Sequence, residues 1–129
     1  MQNHTKVYYT QMGFDYCDFV PCEISQLKAV DIHHIRGRGK MGRDTLCNLM
    51  AVTRKEHDRY GDKKDWYEYL IRCHFGRIWE RIKEEGISPF EHIFESALSG
   101  CKESKLFIER YPKEFTELWF EFAGANMVQ

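Results

Sequence analysis

Asp31, His33, His34, Asn48 and His57 are the side chains whose types and spacing could do chemistry together. Imidazoles and carboxylates are the donors that divalent metals recruit, and an imidazole left off the metal is the usual general base near pH 7. Hydrolysis of a phosphodiester needs both functions: a cation that holds the phosphate and stabilises the leaving oxygen, and a base that takes a proton from water. Neighbouring residues on a strand point to opposite sides, so His33 and His34 can divide this labour, one on the metal and one on the water. Asp31 shares a strand face with His33. It reads first as a carboxylate that orients an imidazole from behind, with a third metal ligand or a plain strand-end carboxylate left open. Taken singly, the paired histidines are surface residues, Asn48 a turn residue and His57 a solvent-facing helix residue. The joint spacing favours a site: Asn48 follows His34 by fourteen residues and His57 follows Asn48 by nine.

Between these residues runs a glycine-rich basic segment in which Arg36, Arg38, Lys40 and Arg43 place four cations in eight positions. Such a cluster can engage phosphates locally even on a near-neutral chain, the alternative being a solvated glycine loop. Arg54 precedes His57 by three residues and is expected nearer the metal, again with a solvated side chain as the alternative. His4, His74 and His92 are read as structural, the first as a tail residue and the others as helix residues among aromatics.

The elements that must position these groups differ along the chain. Lys6–Thr10 and Ala29–Ile35 are the best strand candidates by their β-branched and aromatic content, and 36–47 reads as a loop by its glycines. Asn48–Val52 could pair with the first strand or lead into a helix. Thr53-Arg-Lys-Glu56 fits a capping box, the Thr53 hydroxyl reaching the Glu56 amide and the Glu56 carboxylate reaching back, which puts His57 in the first turns of a helix ending near Gly61 as a left-handed stop. Leu70, Ile71, Phe75, Ile78, Trp79 and Ile82 recur at spacings of three and four, predicting a helix over about 64–84 closed by Gly86. Ser88-Pro-Phe-Glu91 predicts a further helix capped by Ser88 and running to about Gly100. A last helical stretch, roughly 103–122, is expected to break or restart at Pro112 and to bury Phe115, Leu118, Trp119 and Phe122.

The segment from Cys22 to about His57 resembles the HNH (ββα-metal) endonucleases, among them phage, homing and colicin nucleases, with phage-type members nearest by the wording Asp31-Ile-His-His-Ile35 and Asn48-Leu-Met. The resemblance covers under a third of the chain. It implies that His33 and His57 bind one divalent ion, that His34 is the general base, and that Asn48 bridges backbone and base across the loop. It implies DNA as substrate and Mg²⁺ as the ion, although a pair of nitrogens is softer than Mg²⁺ prefers, so Mn²⁺, Ni²⁺ or Zn²⁺ are alternatives. The implied fold is α+β: a small ββα-metal module over 1–61, packed against a helical extension over 62–129 of three or so helices, together one compact domain. Many relatives also hold a structural zinc on two Cys-x-x-Cys pairs. Here those positions read Cys22-Glu-Ile-Ser25 and Thr53-Arg-Lys-Glu56, so three of the four thiolates are missing and no structural zinc is expected. Helix capping and packing of the C-terminal helices are expected to replace it. Cys17 is the remaining thiol that could join Cys22 in a variant site.

Composition sets the outer bounds. The 129 residues include 43% hydrophobic and 15% aromatic side chains, enough for a core and against disorder. The formal net charge of −1 does not suggest general nucleic-acid binding, but residues 1–61 carry nine Lys/Arg against seven Asp/Glu, while 62–129 carry ten against thirteen. Five scattered cysteines and no signal-like start point to a reduced, cytoplasmic protein. No apolar run approaches the roughly 20 residues of a membrane helix. With no basic recognition helix in view, weak specificity, nicking, or dependence on a partner (a second copy, or a phage or host protein) is expected. Two other readings stand beside the nuclease: a catalytically silent HNH scaffold that binds DNA or protein as a phage accessory, and a structural helical protein whose histidines are incidental.

Overall fold

A two-stranded antiparallel sheet lies between two helices, and that sandwich carries His4, His33, His34 and His57. The computed structural model describes residues 2–37, 42–61, 63–110 and 113–127. In chain order the elements are α1 (Asn3–Met12), β1 (Asp31–His34), β2 (Leu49–Val52), α2 (Arg54–Tyr60), α3 (Tyr67–Glu85), α4 (Phe90–Leu98), α5 (Lys102–Arg110) and α6 (Lys113–Met127), with 3₁₀ turns at Leu46–Asn48 and Lys64–Trp66. The fold is α+β, with β1, β2 and α2 forming a ββα-like element among predominantly helical surroundings.

The first expected strand is a helix. Lys6–Thr10 lies inside α1, which buries His4, Tyr8 and Met12, a spacing of four that marks one helical face. Strand propensity in Val7, Tyr8, Tyr9 and Thr10 is overridden by burial of that face, and Gly13 ends the helix at φ 77°. β2 therefore pairs with β1, in the register Asp31↔Val52, Ile32↔Ala51, His33↔Met50 and His34↔Leu49. All four residues of β2 are buried, because α1 and α2 both contact the sheet. Glu23 N–H adds a further bond to Ala51 O at 2.9 Å, so the segment before β1 covers the outer edge of β2.

Thr53 caps α2, its hydroxyl accepting from Glu56 N at 3.1 Å. The return half of the box is not made among the described residues: Glu56 Oε2 is buried without a hydrogen-bond partner. Gly61 follows α2 as expected but is extended (φ −61°, ψ 136°) rather than left-handed. The stripe on α3 buries Leu70, Ile71, Phe75 and Ile78 together with His74, and Gly86 closes α3 at φ 67°. The cap of α4 is Pro89, one residue beyond Ser88, and no side chain caps it. The last helical stretch is two helices, α5 and α6, while Pro112 lies outside the described residues. On α6, Trp119 and Phe122 pack on Phe94 at ring distances of 5.6 and 5.4 Å. Leu118 is exposed, a correction to its expected burial, and the Phe115 side chain lies outside the described residues. No helix among the described residues is long and apolar enough to cross a membrane.

Candidate metal centre

Alternation along β1 sends Asp31 and His33 to one face of the sheet and His34 to the other. His57, in the middle of α2, meets the first group: its ring lies 4.7 Å from that of His33. Asp31 Oδ2 lies 3.2 Å from His57 Nδ1, and Asp31 Oδ1 accepts from Arg54 at 3.3 Å. One carboxylate thus touches an imidazole and a guanidinium, and a proton on His57 Nδ1 leaves Nε2 as the nitrogen with a lone pair. His33 is buried and His57 half-buried. Two imidazoles and a carboxylate, contributed by a strand and the helix after it, are donor types that a divalent ion of borderline hardness recruits, although their ligand atoms are not gathered into a three-donor group.

Gly61 is a condition of this arrangement. Its N–H donates to His57 O at 2.7 Å. A Cβ at position 61 would stand 2.4 Å from that oxygen and 2.8 Å from His57 Cδ2, closer than packing allows.

His34 faces α1. Its Nε2 is 2.6 Å from Asp44 Oδ1, and its ring lies 4.7 Å from that of His4. Ligand atoms of His4, His34 and Asp44 all fall within 4.8 Å of one another, the one such three-donor group found among the described residues. His4 is thus no tail residue: it sits in the first turn of α1, buried against the sheet. Its signal was available in the four-residue spacing of His4, Tyr8 and Met12. Nothing local marks Asp44, which reaches His34 only because the loop folds back.

Asn48 makes that fold. Fully buried, it accepts from Arg36 N at 2.8 Å through Oδ1, and its Nδ2 donates to Arg36 O and Arg43 O, both at 3.0 Å. A single amide side chain thereby pins both ends of the basic segment next to His34.

The five expected phosphate contacts part company. Arg36 turns inward, donating through NH2 to the fully buried Glu103 at 2.8 Å, with Nε also 2.8 Å from that carboxylate. Arg43 reaches the carbonyl of Ser99 at 2.8 Å. Arg54 is largely exposed beside Asp31. Arg38 and Lys40 lie outside the described residues.

The turns at Cys22–Ser25 and Thr53–Glu56, where no structural zinc is expected, meet around the one thiol they hold. Cys22 is buried, and Ser25 N–H points at its sulfur at 3.5 Å. Burial raises the thiol's pKa, but this is outweighed by hydrogen bonds from Ser25 and from the backbone of Ile24 and Thr53, so the net shift is downward. His74 is also more than a filler. Fully buried, it contacts Glu23 Oε1 at 2.7 Å and Leu46 O at 2.6 Å through its two nitrogens, and Tyr8 donates to the other Glu23 oxygen at 2.6 Å. His92 is exposed on α4. No family model, curated protein or solved structure matches this chain.

Proposed function

We propose that this chain is a metal-dependent endonuclease of the HNH type that hydrolyses DNA phosphodiester bonds. The observation that carries the reading is the meeting of Asp31, His33 and His57 at the junction of β1 and α2. His33 and His57 would hold one divalent ion, Mg²⁺ or a softer substitute, with Asp31 fixing the His57 ring through Nδ1. Bound there, the ion supplies Lewis-acid stabilisation of the phosphate and its leaving oxygen. His34 takes the proton from the attacking water. Asp44 on its Nε2 holds the proton of that nitrogen and leaves the lone pair on Nδ1, the tautomer a base requires. His34 is the last residue of β1, next to the loop that Asn48 clamps. Arg54 is the described cation best disposed to meet a phosphate beside Asp31.

A second reading is a catalytically silent scaffold that binds DNA or a protein partner. What favours it is that His34 faces away from His33 and is already bonded to Asp44. Supercoiled plasmid incubated with Mg²⁺ or Mn²⁺ separates the two. Nicking by the wild type that drops at least about 100-fold in His34→Ala, the usual scale of a lost general base, and is also lost in His57→Ala supports the enzyme. DNA binding without nicking by the wild type supports the scaffold.

A further inference from the structure

We propose that His4, His34 and Asp44 form a second divalent-ion site, suited to a borderline transition ion such as Zn²⁺, on the face of β1 opposite the Asp31–His33–His57 cluster. Three separate parts of the chain supply it: the first turn of α1, the end of β1 and the loop before β2. Each brings one donor atom, and these atoms lie within 4.8 Å of one another. Two imidazoles and one carboxylate are a known three-ligand set for Zn²⁺ with a position left for water, whereas Mg²⁺ prefers oxygen donors.

The geometry needs adjustment in both directions: the widest donor separation, up to 4.8 Å, must close and the shortest must open. Bonds of about 2.0–2.1 Å to a tetrahedral ion keep its ligand atoms about 3.3 Å apart. The His34–Asp44 contact is shorter than this, at 2.6 Å, because a proton bridges it. The ion takes the place of that bridging proton, which moves to Nδ1 of the same neutral ring as binding through Nε2 requires. Asp44 is steadied for the role by Asn3, whose amide donates to Oδ2 at 3.3 Å. The imidazoles are held by packing, His4 being buried and His34 nearly so. The site exists whether or not the chain cuts DNA. If the nuclease reading holds, on which this one consequence rests, an ion here takes His34 away from the water.

The test is direct ion binding to the full chain: Zn²⁺ by equilibrium dialysis, and Co²⁺ by its visible absorption. A thiolate-to-cobalt band in the near ultraviolet would reveal binding at cysteine and overturn the assignment. The wild type is expected to bind two equivalents, one lost in His57→Ala and the other in His4→Gln and in Asp44→Asn. One equivalent that survives His57→Ala but not His4→Gln would uphold this site while removing metal support for the nuclease reading. Wild-type stoichiometry in both His4→Gln and Asp44→Asn, or no equivalent beyond the one sensitive to His57, overturns the second site. The Asp44→Asn variant changes no residue of α1, so it decides the matter should His4→Gln unfold.

Discussion

At the scale of single residues, the candidate centre depends on one missing methyl group. Gly61 has ordinary backbone angles, so alanine could adopt its conformation; what excludes alanine is the 2.4 and 2.8 Å approach to His57. Gly61→Ala is therefore expected to destabilise the fold by about 1–3 kcal/mol, the usual range for forcing an extra carbon into packed surroundings, and to turn the His57 ring away from His33. Urea unfolding gives the first quantity, and loss of the His57-dependent metal equivalent gives the second. An alanine variant as stable as wild type with unchanged metal binding would show that the helix end has room to spare. The sequence announces Gly61 as a stop but not its closeness to His57, because a glycine chosen for space looks the same as one chosen for a positive φ. The histidines at 33, 34 and 57 were legible by type and spacing. His4 was hidden by the mistaken strand around it, and Asp44 by having no periodic neighbour.

At the scale of elements, the connection between β1 and β2 is ordered by a side chain rather than by a regular turn. Asn48 donates or accepts three hydrogen bonds to backbone groups of residues 36 and 43. Truncation leaves three polar groups without partners at a buried position. A lost partner costs about 1–3 kcal/mol; water can re-enter part of the loop, so Asn48→Ala should lose about 3 kcal/mol in total. Asn48→Asp keeps the acceptor for Arg36 N and loses both donors, so it should fall closer to Ala than to wild type. Hydrogen exchange at the Arg36 amide reads the local effect, and equal protection in all three proteins would remove Asn48 from this role. The cap of α2, the stripe of α3 and the apolar run of β2 are legible because each is written in neighbouring residues, although the run alone leaves strand and helix open. α1 is not legible because Val, Tyr and Thr favour strands, while the buried face His4–Tyr8–Met12 follows the helical period. The turns at Cys22–Ser25 and Thr53–Glu56 show the same division: that they hold a single cysteine is plain in the sequence, but the way Ile24, Ser25 and Thr53 gather hydrogen bonds on Cys22 depends on two turns that meet only in the fold.

At the scale of the whole molecule, the N-terminal and helical parts are joined through buried polar groups as well as a shared apolar core. Glu23 meets His74 of α3 and Tyr8 of α1, while Arg36 and Tyr67 both meet Glu103 of α5. Pairings across 51 and 67 residues carry no periodic signal, which is why this part of the architecture could not be read in advance. They set how the protein responds to alkali. Burial first and the Glu23 carboxylate second push the Tyr8 phenol well above its usual 10.0. Burial and Glu103 do the same to Tyr67, and burial first, with Cys101 and Glu103 adding to it against a hydrogen bond with Ser104, raises the Cys47 thiol above 9.0. Each group has a higher pKa folded than unfolded, so its contribution is complete below the unfolded value and lost as pH rises towards the folded one. Above that unfolded value the unfolded chain holds fewer protons than the native one, and stability must fall with pH. The fall should begin near pH 9 with Cys47 at up to about 1.4 kcal/mol per pH unit, and steepen above about pH 10 as the phenols join, Tyr67 contributing less because it is half-buried. Cys22 has the opposite sign, but its contribution levels off near pH 9 and cannot offset the later decline. Urea midpoints between pH 8 and 11 test this. Tyr8→Phe should be less stable than wild type at pH 8, having lost its bond to Glu23, yet lose stability more slowly above pH 10. Parallel curves for the two proteins would mean that the Tyr8 phenol ionises as easily in the fold as outside it.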